Sequence, residues 1–132
     1  MSKIVIVGDP HVGKSPTLGR AGIGSTLNSR IVDQLHLLDH VLERAIHIGA
    51  ERIVLTGDIF EEPKPPINLI TLFIAWLKHC QLYNIAIHII VGNHDVLRSG
   101  SIYTSTLDII SGADLNGVFV HHHILVVHLN II

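Results

Sequence analysis

Asp9-Pro10-His11, Asp58 and Asn93-His94-Asp95 are the residues of this chain whose types and placement could do chemistry together. Each group follows a short apolar run rich in β-branched residues, over 3–7, 52–56 and 85–91. A carboxylate and an imidazole two residues apart can hold a divalent metal. Asp9 and His11 would bind one ion, Asn93 a second, and Asp58 would bridge the two. The bridge has to be anionic, because two dications about 3.5–4 Å apart repel strongly. The Asn93 carbonyl adds a neutral oxygen and limits the accumulated negative charge. Mixed oxygen and nitrogen donors suit manganese, iron or zinc better than magnesium or calcium. Water shared by such ions becomes a nucleophile toward phosphorus near neutral pH.

The same stretch admits a rival reading. Gly8-x-x-x-x-Gly13-Lys14-Ser15 satisfies the phosphate-cradling P-loop pattern, and with Asn93-His94-Asp95 it resembles a small GTPase. A P-loop opens directly into a helix whose amino terminus receives the phosphates. Here Pro16, Gly19, Gly22 and Gly24 follow, each glycine costing a helix about 1 kcal/mol and the proline more. The guanine-reading motif is also broken, with His94 in place of its lysine and Asp95 one position early. A GTP-binding protein using Lys14 and Ser15 is the alternative from another class.

Positioning these groups falls to a β-α-β-α-β order. Residues 3–7, 52–56 and 85–91 read as strands, and residues 8–25, with five glycines and two prolines, read as one long loop. Leu27, Ile31, Leu35, Leu38, Leu42, Ala45 and Ile46 recur at helical steps and predict a helix over 27–48, with Gly49 placed as a left-handed C-cap. Pro65-Pro66 opens a second helix running to about Tyr83, and Asn84 ends it. A short helix over 104–110 and strands over 118–120 and 124–129 complete the pattern. This order implies a largely parallel sheet with right-handed crossovers, whose ligands collect beyond the carboxyl ends of the strands. The first strand, with no polar alternation, is expected to be buried on both faces.

At 132 residues the chain suits a single domain over 1–132, and a formal net charge of −2 offers no bulk attraction for nucleic acid. The one cysteine, Cys80, excludes an internal disulfide and fits a reducing compartment. The amino terminus is not a secretory signal, and the apolar stretch 67–77 is shorter than the roughly 18 residues of a membrane span. A cytoplasmic protein, or one in a host cytoplasm if of phage origin, is expected, with no membrane partner.

Asp9-x-His11, Gly57-Asp58 and Gly92-Asn93-His94-Asp95 resemble, in order and in strand-end placement, the first three motifs of the calcineurin-like metallophosphoesterases. Within that superfamily the chain is similar to the SbcD-type DNA repair nuclease subunits, through Gly57-Asp58-Ile59-Phe60 followed by an acid. The resemblance covers residues 3 to about 100. It implies a four-layer α/β/β/α sandwich, of which this chain supplies the βαβαβ half and further strands. Asp9, His11, Asp58 and Asn93 would be metal ligands; His94 would stabilise the transition state or protonate the leaving oxygen, and Asp95 would fix local geometry. Glu61 stands where relatives carry Asp or His, and no catalytic role is carried over to it.

The implied activity is two-metal hydrolysis of DNA phosphodiesters, with manganese as the first expectation and iron, zinc or magnesium as alternatives. The implied partners are DNA, an SbcC-like ATPase and a second copy of the chain. A phosphomonoesterase or cyclic-nucleotide phosphodiesterase would share every motif. The superfamily's Gly-His and Gly-His-x-His motifs are absent, so the chain is expected to be an amino-terminal fragment or a truncated reading frame, with half of the ligand set.

Eleven histidines need individual accounts. Asp33, His36, His40, Glu43 and His47 form a stripe opposite the leucine face of the first helix and read as solvated. His88, between Ile87 and Ile89, reads as a hydrogen-bonded sheet residue. His121-His122-His123 reads as a turn or as strand positions, and His128 could replace a missing ligand. Leu72, Phe73, Trp76 and Leu77 read as core, and Cys80 as a buried small hydrophobe. Lys14, Arg20, Arg30 and Arg98 flank the candidate site and could meet a phosphate backbone.

Overall fold

A computed structural model describes residues 2–8, 10–13, 29–61, 64–92, 96–99 and 102–121. Its centre is a parallel sheet of β1 (Ile4–Gly8), β2 (Arg52–Thr56), β3 (Ala86–Ile90) and β6 (Val118–His121), in that spatial order. The register places Gly8, Thr56, Ile90 and His121 in one row. The carboxyl ends of the strands are therefore level. Residues that follow β1, β2 and β3 emerge at one edge, as the strand order required.

Two crossover helices cover one face. In α1 (Ser29–Ile48), Ile31, Leu38, Leu42 and Ala45 are buried, while Asp33, His36, His40, Glu43 and His47 form the expected exposed stripe. Gly49, at φ 71°, ends it in a Schellman turn, with Ala50 N donating to Ala45 O and Gly49 N to Ile46 O. Proline 66 precedes α2 (Ile67–Leu82), which buries Leu69, Phe73, Trp76, Leu77 and Cys80. Asn84, at φ 56°, turns the chain out of that helix. The two helices are joined where Trp76 Nε1 donates to Leu38 O at 3.0 Å. Against them pack Ile53, Leu55, Ile87 and Ile89, all fully buried. Burial pushes the Cys80 thiol up to about 12, which leaves it a protonated hydrophobe.

Two expectations change. Residues 102–105 form a strand, β5, paired antiparallel with β4 (Val96–Ser99), and the short helix α3 spans Leu107–Gly112. The β-branched and aromatic Ile102-Tyr103-Thr104 run favours the strand. A reciprocal cap then starts α3: Leu107 N donates to Ser105 Oγ and Ser105 N to the Asp108 carboxylate. The second change concerns β1. Ile6 is 69% exposed and Phe119 47%, so on the face away from the helices the outer strands are open, while Val54 and His88 in the central strands are buried. An apolar run without alternation marks a strand able to be buried on both sides, and β1 lies at a sheet edge.

The α/β class and the βαβαβ half stand as expected. The loop over 14–25, the strand expected at 124–129, and His122, His123 and His128 lie outside the described residues. Among the described residues no helix is long and apolar enough to cross a membrane.

Candidate metal centre

Beyond β1 and β2 the chain does not diverge but continues as two zipped segments. His11 N donates to Asp58 O at 2.9 Å, Val12 N to Ile59 O at 2.8 Å, and Glu61 N to Val12 O at 2.9 Å. Val12, Ile59 and Phe60 are buried and anchor this extension to the core. His11 and Asp58 both take the left-handed conformation, at φ 47° and 46°, beside Gly57 at φ 75°. Outside glycine, that region is favoured by Asn, Asp and His. Matching kinks thus turn the two side chains toward each other.

His11 Nε2 lies 3.9 Å from Asp58 Oδ2, with the side chains 29% and 19% exposed. That distance is too long for a hydrogen bond. It falls inside the roughly 4.2 Å that two metal–ligand bonds of about 2.1 Å can span. On the other side of the ring, His11 Nδ1 lies 3.4 Å from Glu61 Oε2. The end of β3 also reaches the pair. A Cβ at Gly92 would fall 2.4 Å from Asp58 N and 2.5 Å from Asp58 Oδ1, so only a glycine lets the third strand end approach this closely. Gly13 has a similar role, since its Cβ would meet Glu61 Cβ at 2.6 Å. The second glycine of the P-loop pattern thus has a steric reason of its own.

Gln34 escaped the sequence reading. From α1, its Nε2 donates to His11 O at 2.6 Å and its Oε1 accepts from Gly13 N at 3.0 Å, clamping the backbone on both sides of Val12. A polar residue three after Ile31 and four before Leu38, inside the apolar stripe, was the signal available.

Of the expected site residues the structure brings together His11 and Asp58, while Asp9, Asn93, His94 and Asp95 lie outside the described residues. Lys14 and Ser15 lie outside them as well, as do the side chains of Arg20, Arg30 and Arg98. Among the described residues no group of three or more His, Cys, Asp or Glu side chains is arranged to hold a metal ion. An imidazole nitrogen and a carboxylate oxygen within bridging distance at adjacent strand ends are nonetheless the donor chemistry of a transition-metal site. The residues present fit that group.

The level row of parallel strand ends is the scaffold that the resemblance of Asp-x-His, Gly-Asp and Gly-Asn-His-Asp to phosphoesterase motifs implies. The family model for calcineurin-like phosphoesterases matches residues 2–131, and the chain belongs to that family. Over 58 residues, 44% of the chain, it is 36% identical to the DNA double-strand break repair protein Mre11 of Methanococcus maripaludis. That match spans 16% of the relative's length.

Proposed function

We propose that this chain belongs to a two-metal phosphodiesterase acting on DNA, of the SbcD type. The observation that carries this reading is the His11–Asp58 pair at level strand ends, with Gly92 packed against the Asp58 carboxylate. Support for DNA as substrate comes from the similarity to a double-strand break repair protein. Asp9 and His11 would hold one ion and Asn93 the other, with Asp58 shared between them. A bound pair of divalent ions, manganese first, supplies Lewis acidity toward a phosphodiester and lowers the pKa of water.

The chain's own residues do the rest. His11 and Asp58, fixed by the zipped backbone, hold their donor atoms in place without reorganisation. Gly92, packed against Asp58, is followed in the sequence by Asn93 and His94, which would act at the same edge. His94 would give a proton to the leaving oxygen. The partners proposed with this activity are an SbcC-like ATPase and a second copy of the chain, in an intracellular setting. Residues 1–132 would form one domain of the assembly.

The test is manganese binding by electron paramagnetic resonance, together with cleavage of linear duplex DNA and of p-nitrophenyl phosphate. Manganese-dependent DNA cleavage without monoester hydrolysis, lost in Asp58→Asn, is the expected result. Preference for the monoester or for a cyclic nucleotide would move the chain to another branch of its family. GTP binding lost in Lys14→Ala, with manganese binding unchanged in Asp58→Asn, would overturn the reading.

A further inference from the structure

The metal reading uses one nitrogen of His11, and the structure gives the other nitrogen a specific neighbour. Nε2 faces the Asp58 carboxylate at 3.9 Å and Nδ1 faces the Glu61 carboxylate at 3.4 Å. A neutral imidazole has one N–H and one lone pair, and an ionised carboxylate only accepts. With the proton on Nδ1, the Glu61 carboxylate is the acceptor within reach at 3.4 Å. The lone pair on Nε2 then faces Asp58 across a gap that two acceptors share, which is a place for a cation.

Glu61 is not a loose surface side chain that happens to swing past. Its backbone nitrogen donates to Val12 O at 2.9 Å, in the segment that carries His11. The missing Cβ of Gly13 is what lets Glu61 Cβ come so near that segment. The carboxylate is thus carried by the same backbone zipper that fixes the imidazole. At 3.4 Å the pair is not yet a hydrogen bond, and a small shift and turn of the Glu61 carboxylate would make it one.

We propose that Glu61 is a positioning carboxylate for His11, accepting a hydrogen bond from Nδ1–H so that Nε2 is presented, unprotonated, to a divalent cation shared with Asp58. Histidine ligands commonly donate their second ring N–H to a carboxylate, which fixes the tautomer and makes the ligating nitrogen more basic. The proposal rests on the reading of His11 as a metal ligand. It adds that the acid following Gly57-Asp58-Ile59-Phe60 acts on the metal through the ring rather than directly.

Two measurements on the full 132-residue chain test it. The first is manganese affinity by electron paramagnetic resonance for the unaltered chain, Glu61→Ala, Glu61→Gln and Asp58→Asn. The second is the His11 tautomer in metal-free protein, from long-range 1H–15N correlation spectra at about pH 8, where an ordinary imidazole is neutral. Glu61→Ala is expected to weaken manganese binding by about 10- to 100-fold and to shift the ring away from the Nδ1–H tautomer. Glu61→Gln, whose amide oxygen still accepts from Nδ1, is expected to keep the tautomer and lose less affinity. It also serves if the alanine variant does not fold.

An unchanged tautomer in Glu61→Ala overturns the proposal. So does a loss in Glu61→Gln as deep as in Asp58→Asn, which would make Glu61 a ligand itself. If the unaltered chain binds no manganese, the metal reading fails by itself, and the tautomer shift still decides whether Glu61 orients His11.

Discussion

Among the described residues, His11 and His88 each have a polar neighbour beside both ring nitrogens, and the two surroundings differ in sign. His11, in the kinked extension beyond β1, lies between the carboxylates of Asp58 and Glu61. His88, in the middle of β3, lies between Arg52 and His121 and against the Phe119 ring. Arg52 Nη1 donates to His88 Nε2 at 2.7 Å, so the remaining ring proton is on Nδ1 and is given to His121 Nε2 at 3.0 Å. One environment gathers carboxylates that call for a cation, and in the other the Arg52 guanidinium occupies the ring's lone pair and excludes one. Histidine number alone therefore says little about metal chemistry. The sign of the neighbours decides.

The largest effect that sharpens this contrast is expected from Asp58→Asn. Loss of the shared carboxylate should weaken manganese binding by more than about 100-fold, beyond the usual cost of removing a residue that only supports a ligand. Replacing Arg52 on the far face should leave that affinity unchanged. Gly92→Ala comes next. Its new methyl would collide with backbone as well as side chain of Asp58, and overpacking of this kind costs about 1–3 kcal/mol. A lower urea midpoint together with weakened manganese binding would show that β3's close approach supports the site.

Gln34→Ala removes two side-chain hydrogen bonds to the loop around Val12, each with a net worth of about 1 kcal/mol. Faster amide exchange at Gly13 and a smaller loss of manganese affinity are expected. The smallest effect concerns His88. Burial first, then the nearby Arg52 and His121, push its pKa below the ordinary 6.5. The unfolded chain then takes up a proton that the folded chain refuses, so the unfolded state binds more protons in that window. Stability should be flat above about pH 6.5 and fall as pH drops below it toward the folded value. Urea midpoints between pH 7.5 and 5.5 should show a shallower slope in His88→Phe, and an unchanged slope would remove His88 from the account.

The sheet was legible because its evidence is local. Arg52–Thr56 stands out between Gly49 and Gly57, and Pro65-Pro66 with Asn84 bracket α2. The β4–β5 hairpin was missed although Gly100-Ser101 between two short runs is a turn signal. Neighbouring Leu107, Ile109 and Ile110 drew the helical reading too far toward the amino terminus. His11 and Asp58 could be found because each is polar where an apolar run stops. The contacts of Gln34 with His11 and of Gly92 with Asp58 join residues far apart in the chain, and only the tertiary path makes them visible. Exposure of Ile6 was hidden for a related reason, since an apolar run does not tell which strand ends up at an edge.

The left-handed backbone at His11 and Asp58 narrows the choice of residue before any reaction is considered. Nearly every side chain with a branched β-carbon is uncomfortable there, whereas His, Asp and Asn tolerate it. Conformation and ligand chemistry thus draw on the same short alphabet at these two positions. An Asp-to-Asn exchange alters charge while respecting the turn. Substitution by valine would confound the two, breaking the bend along with the donor.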